Sequence, residues 1–122
     1  MLHQMKLKES PFERIKNGTK TIEFRLYDEK RKQIKIRDKI EFSKLPELEE
    51  KIVVEVLDLY KDVSFEELFK KVFTDKEEIE RKTKSMLQFY THEQEKEYGV
   101  VGIQIKLVKQ QLIISRILFK IN

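Results

Sequence analysis

The chain has 122 residues and no cysteine, charged and hydrophobic residues each make up 39% of it, and its net charge is +4. A single domain of this size buries roughly two-thirds of its unfolded surface, and 8 Phe and 4 Tyr supply enough core material to argue against general disorder. The composition excludes disulfides, thiolate metal sites and cysteine nucleophiles, and without a leader-like or membrane-length apolar run we expect a cytoplasmic protein with no membrane partner.

The first predicted elements are a short strand and a short helix. Residues 3–8 alternate between apolar and polar side chains, which is typical of a strand with one buried face. In the segment "SPFERIKNG", Ser10 can cap the helix N-terminus, and Pro11 suits the first helical position, where its missing N–H is not needed. Gly18 then ends the helix, because glycine adopts the left-handed conformation without strain.

A second strand follows directly and alternates apolar with mostly charged side chains. The apolar side chains are Ile22, Phe24 and Leu26, and those on the other face are Thr21, Glu23, Arg25 and Tyr27. Because successive strand side chains point to opposite faces, we expect the apolar set to reach the core. The polar set is either a solvated strand face or a small preorganised polar site.

The middle of the chain predicts two further strands. Residues 28–39 form a charged connection, and residues 38–43 supply the first of the two strands. Residues 51–60 predict the second, covered on both faces because apolar residues occupy both parities along part of its length.

Three helices are predicted next, over residues 64–73, 74–90 and 91–99. Each begins with a side chain that can cap the first N–H groups of a helix, which is Ser64, then Thr74 or Asp75, then Thr91. Gly99 ends the third helix.

The chain closes with a strand and an apolar tail. Residues 100–108 alternate as a strand, and residues 109–122 form either a packed strand or helix or a contact segment that docks on a second copy to give a homodimer. Strands interleaved with short helices, without regular alternation, favour an α+β mixed barrel over a doubly wound parallel sheet.

The segment "GTKTIEFR" concentrates the polar chemistry of the second strand. Glu23 and Arg25 are two residues apart and share a face, within reach of a bidentate contact. Lys20 stands at the turn, and the helix end at Gly18 adds backbone donors. Such a group can hold a planar polar ligand, such as a nucleobase or carboxamide, or a phosphate.

The same segment, written G-x-K-x-x-E-x-R, resembles the signature of the ASCH domain family, a branch of the PUA-like superfamily. The following "YDEKRKQIKIRDKIEF" resembles the family's continuation, except that Arg37 stands where glycine is common. The segment "YTHEQEKEYGVVGIQI" is similar to the acidic, Tyr-Gly-Val part of small bacterial members. The resemblance covers residues 1–108 as one ASCH domain and leaves residues 109–122 as an unmatched tail.

The resemblance implies a PUA-like mixed β-barrel of about five to six strands, with short helices over its openings and a cleft beside the signature strand. It implies binding of RNA or of an RNA-derived molecule such as a modified nucleoside. The expected ligand-binding residues are Gly18, Lys20, Glu23 and Arg25, with Tyr27 or Tyr90 as a stacking face and Glu95 as a carboxylate at the cleft rim.

The charge distribution supports a polyanionic partner. Residues 1–44 carry 13 Lys/Arg and 7 Asp/Glu, residues 45–98 carry 9 and 15, and residues 99–122 carry 4 and none. Two basic ends can attract a phosphate backbone through counterion release. His3 and His92 lack metal-ligand spacing, and no Gly-rich phosphate loop is present, so we expect neither a metal nor another cofactor.

The alternative is a small amidohydrolase, since the chain also resembles, more distantly, the acetylcytidine amidohydrolases of the ASCH group. In those enzymes a lysine acts with a threonine nucleophile and a glutamate. Lys20 matches the lysine, but Glu23 stands where the threonine is needed. An enzyme of this type would instead use Glu23 as a general base and Lys20 to stabilise the oxyanion.

Overall fold

The structure is a computed structural model that describes residues 1–111. The predicted apolar tail, residues 109–122, lies outside the described residues from position 112 on, so its contact role stays a prediction. In the described part no helix is long and apolar enough to cross a membrane.

Five strands and five helices occur within residues 1–111. In chain order they are β1 (Leu2–Leu7), α1 (Glu9–Lys16), β2 (Ile22–Leu26), α2 (Glu29–Lys32), β3 (Lys39–Lys44), β4 (Lys51–Asp62), α3 (Phe65–Val72), α4 (Lys76–Met86), α5 (His92–Tyr98) and β5 (Val100–Gln111). The strands form a sheet in the order β1-β3-β4-β5-β2. The sheet is mixed, because β1 runs parallel to β3 and β3 runs antiparallel to β4. The predicted α+β class is confirmed.

The described chain divides into two compact units. The first contains Met1–Glu23, Lys35–Asp58 and the described residues from Gln104 on, and the second contains Phe24–Ile34 and Leu59–Ile103. Strands β2, β4 and β5 each contribute residues to both units.

The core of the first unit lies on one face of β1, β3 and β4. In each strand the buried residues alternate with more exposed ones, as in Met5 and Leu7 of β1. Helix α1 adds Phe12 and Ile15, which are 0% and 2% exposed. A strand buries one face when its apolar residues repeat every two positions, and a helix does so when they repeat about every 3.6 positions. The first unit contains both patterns.

Helix α1 begins earlier than predicted. It starts at Glu9, with Lys8 at the N-cap position and no side-chain cap, so the prediction of Ser10 as the cap was wrong. Pro11 is the third helical residue, not the first. Because the first four N–H groups of any helix lack an intrahelical acceptor, a proline is tolerated at any position of the first turn. Pro11 therefore does not mark the start of α1. Gly18 follows the helix with φ of 84°, as predicted.

Strand β4 differs from the prediction of a strand covered on both faces. Ile52, Val54 and Val56 are buried, but Val53 is only half-buried and Leu57 is 41% exposed. Apolar residues commonly remain at the surface, so a run of them does not show that both strand faces are covered. The predicted charged connection also contains the unpredicted helix α2, which Asp28 caps by accepting a hydrogen bond from the Arg31 N–H.

An aromatic cluster forms the core of the second unit. Its buried residues are Leu26, Phe65, Leu68, Phe69 and Val100. Phe24 meets Phe69 edge to face, with 4.8 Å between the ring centroids, a favoured geometry for aromatic pairs.

The predicted starts of the three helices in the second unit are confirmed, but α4 ends at Met86, four residues before the predicted limit at residue 90. The caps are Ser64, Asp75 and Thr91, and Thr91 forms a reciprocal capping box with Gln94. Gly99 ends α5 with φ of 71° and ψ of −174°, a conformation that is essentially restricted to glycine.

Arg37 has an unusual backbone conformation just before β3. Its φ is 77°, and its N–H donates to the carbonyl of Val56 at 2.8 Å. A left-handed conformation costs an L-residue roughly 1–2 kcal/mol. This cost gives a physical reason why glycine is common at this position in the family that the sequence resembles.

We therefore predict that Arg37→Gly stabilises the protein. Relief of backbone strain exceeds the added entropy of the unfolded chain, so the free energy of unfolding should rise by about 0.5–1 kcal/mol, measured by urea denaturation. Lys35→Gly is the control, because Lys35 is exposed and lacks a positive φ. It should lower stability by about 0.5–1 kcal/mol. Equal destabilisation by both substitutions would contradict the strain argument.

Asp38 connects β1 to the start of β3. Its carboxylate lies 2.8 Å from Nε2 of the buried His3, accepts the Lys35 N–H at 3.0 Å, and lies 3.3 Å from the ammonium of Met1. The His3 contact is the largest of the influences that lower the pKa of Asp38 from 3.8 to about 2.

This pKa shift predicts a loss of stability in acid. Because the folded-state pKa lies below the unfolded value, Asp38 stabilises the fold above about pH 4, and this contribution disappears as the pH falls towards about 2. Asp38→Asn should therefore have a shallower fall in unfolding free energy over that interval than the wild type. Glu93→Gln, at an exposed position of α5, should keep the wild-type slope. Identical slopes for Asp38→Asn and the wild type would refute the assignment.

Candidate functional site

The candidate site begins at the turn between α1 and β2. Thr19 donates both its N–H and its hydroxyl to Oδ1 of Asn17, at 3.0 and 2.7 Å. The Lys20 N–H donates to the carbonyl of Arg14 at 3.0 Å. These bonds fix the backbone on both sides of Gly18, which is exposed and has open space where a Cβ would stand.

Lys20 and Glu23 meet at the start of β2. Nζ of Lys20 lies 3.4 Å from Oε1 of Glu23, and the two side chains are only 17% and 7% exposed. The Thr21 carbonyl between them accepts the N–H of Ile105 from β5 at 2.9 Å. The interpretation of this strand face as fully solvated is therefore wrong for Glu23.

Keeping this ion pair largely out of water costs free energy. Removing two charges from water carries a desolvation penalty that their attraction only partly offsets, so apolar residues of similar size would often stabilise a fold equally well. The pair places a group with three N–H donors beside a carboxylate that only accepts. That combination suits a ligand carrying both an acceptor and a donor on one edge.

The other predicted site residues belong to the second unit. Tyr90 stacks on Phe65, with 5.5 Å between centroids and 27° between planes, so this ring contributes to the aromatic cluster. Tyr27 is half-buried, and its N–H donates to the Gly99 carbonyl at 3.0 Å. Arg25 is also half-buried.

Glu95 joins two helices of the second unit. It is 4% exposed, and its Oε2 accepts the N–H of Phe65 at 2.7 Å, so its carboxylate lies at the start of α3. Its Oε1 lies 3.0 Å from Nδ1 of His92. Glu95 is thus buried within α5, whereas Glu93 and Glu97 of the same helix are exposed.

Sequence reasoning missed an ionic network in the first unit. Lys44 Nζ lies 2.9 Å from Glu13 and 3.0 Å from Glu50, and Lys16 lies 2.7 Å from Glu50. The hydrogen bond to Glu13, followed by that to Glu50, raises the pKa of Lys44, while Lys16 chiefly lowers the pKa of Glu50. Part of the basic charge predicted for an anionic partner is therefore neutralised internally. The ionic network joins residues 13–16 to residues 44–50, which are far apart along the chain, so no local sequence pattern could have predicted the network.

The described part of the second unit contains a groove and a smaller cavity, both lined by residues other than Lys20 and Glu23. A groove of about 740 Å³ is lined by residues of α3 and α4, including Phe73 and Ile79. A smaller cavity of about 420 Å³ is lined by residues that include Asp62, His92 and Glu95. Among the described residues no group of three or more His, Cys, Asp or Glu is placed to hold a metal ion.

Comparison with family models identifies one family, and several solved structures resemble the chain. The family model of the ASCH domain matches residues 5–109. The crystal structure of hypothetical protein PH0355 is 39% identical, with a TM-score of 0.75, and the match covers 88% of this chain and all of that one. The solution structure of protein PF0455 from Pyrococcus furiosus is 38% identical, with a TM-score of 0.67 and coverage of 89% and 99%.

A more distant match supports the fold alone. The crystal structure of a mutant ASCH protein, ZmASCH, from Zymomonas mobilis has a TM-score of 0.60 at 11% identity, covering 99% of this chain and 80% of that one. Comparison with curated proteins gave no match. The α+β, PUA-like fold expected from the signature is confirmed.

The Lys20–Glu23 pair predicts strong energetic coupling. Lys20→Met or Glu23→Leu alone leaves one largely desolvated charge without this partner and should cost about 1–3 kcal/mol, whereas the double substitution should recover at least about 1 kcal/mol of the summed cost. The exposed pair Glu29 and Lys32 has similar spacing and a 3.3 Å contact, and serves as the control. Its coupling should stay below about 0.5 kcal/mol. Additive costs for Lys20 and Glu23 in urea denaturation would contradict the pairing.

Proposed function

The chain belongs to the ASCH domain family, and on this basis we propose that it binds RNA or a modified nucleoside through Lys20 and Glu23. The observation that carries the proposal is the contact of 3.4 Å between these two side chains, both largely removed from water. A protein retains a desolvated ion pair at a cost, and use of its donors and acceptors by a ligand offsets that cost.

The chemistry of a nucleobase fits this pair. The Watson–Crick edge of an unpaired base presents N–H donors beside carbonyl or ring-nitrogen acceptors in one plane, and single-stranded RNA is recognised through such edges. Glu23 would accept from a base N–H, and Lys20 would donate to a neighbouring oxygen. Because Gly18 carries no side chain, the backbone at the turn leaves room for a ligand to approach.

The distribution of charge favours a phosphate-bearing ligand over a neutral one. Residues 1–44 carry six more cations than anions, although Glu50, which lies outside this range, contacts Lys16 and Lys44 and neutralises some of this excess. The surplus that remains would attract a polyanion at low salt.

A second candidate function, hydrolysis of an acylated nucleoside, is favoured by the same contact. Glu23 would take a proton from water, the hydroxide would add to the acyl carbon, and Lys20 would stabilise the resulting oxyanion. Collapse of the intermediate would break the C–N bond as the proton passes to the leaving amine. The candidate ranks second because Glu23 occupies the position of the family's threonine nucleophile, and Thr21, just before β2, is exposed.

Binding can be tested with nucleosides and a labelled single-stranded RNA at low salt. We expect measurable binding by the wild type. The affinity should fall about tenfold or more in Lys20→Met and in Glu23→Gln, since each substitution removes the group that would contact one half of the base edge. Lys39→Met is the matched control, because Lys39 is an exposed lysine of the same unit.

The outcomes separate the two candidates. Absence of binding by the wild type to both the RNA and the nucleosides would overturn the binding proposal. Release of acetate from acetylcytidine that is lost in Glu23→Gln and Lys20→Met would favour hydrolysis instead.

A further inference from the structure

Two lysines of the second unit lie over one aromatic ring. Nζ of Lys61, in β4, is 4.9 Å from the centroid of the Tyr27 ring, and Nζ of Lys32, in α2, is 5.9 Å from the same centroid. Both distances are within the range of cation–π attraction. The three residues are called the Tyr27 surface below.

The backbone around this surface is well anchored. The Tyr27 N–H bonds to the Gly99 carbonyl at 3.0 Å. Asp28, the next residue, caps α2 and also accepts the guanidinium of Arg31 at 3.1 Å. The backbone that carries the ring is therefore fixed, which lowers the cost of ordering the ring when a base stacks on it.

One of the two lysines of the Tyr27 surface, Lys61, lacks an ion pair among the described residues. Asp28 is occupied by Arg31, and the exposed Glu29 pairs with Lys32 at 3.3 Å. Within the described part of the chain, Lys61 has no carboxylate at ion-pair distance, whereas Lys70, Lys71, Lys82 and Lys84 of the same unit each have one. Two ammonium groups beside one ring repel each other, and an anion between them would relieve that repulsion.

We propose that the Tyr27 surface binds one nucleotide unit of a single-stranded RNA, with Lys61 and Lys32 on the phosphate and the Tyr27 ring against the base. This inference rests on the proposed function and specifies its ligand as an RNA chain instead of a free nucleoside. A nucleotide carries both features that the surface recognises, a flat π-face and an anion, and aromatic rings flanked by basic side chains are common at single-stranded nucleic-acid sites.

Salt dependence tests the lysines directly. Fluorescence anisotropy of a labelled single-stranded RNA of about ten nucleotides would be measured over a range of salt concentrations. Lys61→Gln should lower the slope of log affinity against log salt by roughly 0.7, and Lys61→Gln with Lys32→Gln by about twice as much. Lys84→Gln is the matched control, since Lys84 is exposed and pairs with Glu80 along a helix much as Lys32 pairs with Glu29. It should keep the wild-type slope.

Substitutions of the tyrosine test the stacking. Tyr27→Leu should weaken RNA binding by roughly fivefold or more without changing the slope, whereas Tyr27→Phe should retain the affinity because it keeps the ring. Thermal denaturation verifies that each variant is folded, and Tyr27→Phe and the exposed lysine variants carry the test if Tyr27→Leu does not fold.

The outcomes distinguish this inference from the proposed function. A wild-type slope in the double lysine variant, or an equal decrease in Lys84→Gln, would overturn the Tyr27 surface while leaving any effect of Lys20→Met and Glu23→Gln intact. Displacement of the RNA by inorganic phosphate at equal concentration would also overturn it, since the base would then contribute nothing. A wild-type protein that binds nucleosides but no RNA at low salt would refute the inference and keep the nucleoside form of the proposed function.

Discussion

The signature strand carries a carboxylate that is largely removed from water, that of Glu23. A buried carboxylate needs cations or hydrogen-bond donors around it, and Lys20 supplies one such group. Lys20 in turn is held by the turn that Gly18 makes possible. The end of α1, the turn and β2 therefore depend on one another. The G-x-K-x-x-E part of the motif forms one continuous structural element.

The two units distribute binding chemistry in different ways. In the first unit, many charged side chains form ion pairs with one another, as Lys44 does with Glu13 and Glu50. In the second unit, the aromatic cluster supplies stability, and within the described part of the chain Lys61 lies over the Tyr27 ring with no carboxylate at ion-pair distance.

Features with a local cause were predicted well from sequence, and features that depend on distant residues were not. Thr91 and Gly99 were assigned correctly, because a cap and a left-handed glycine act within a few residues. The start of α1 was misplaced, since nothing near Ser10 shows where β1 stops. The alternating burial of β4, the stacking of Tyr90 and the burial of Glu95 depend on partners elsewhere in the chain, which spacing cannot reveal.

The sheet order has a consequence for synthesis of the protein. β1 can pair with β3 early, but the backbone of β2 bonds to β5, as from Thr21 to Ile105 and from Tyr27 to Gly99. While the nascent chain is being made, the signature strand lacks its β5 neighbour until β5 has left the ribosome. A product interrupted before β5 would present an open strand edge, which favours aggregation over ligand capture.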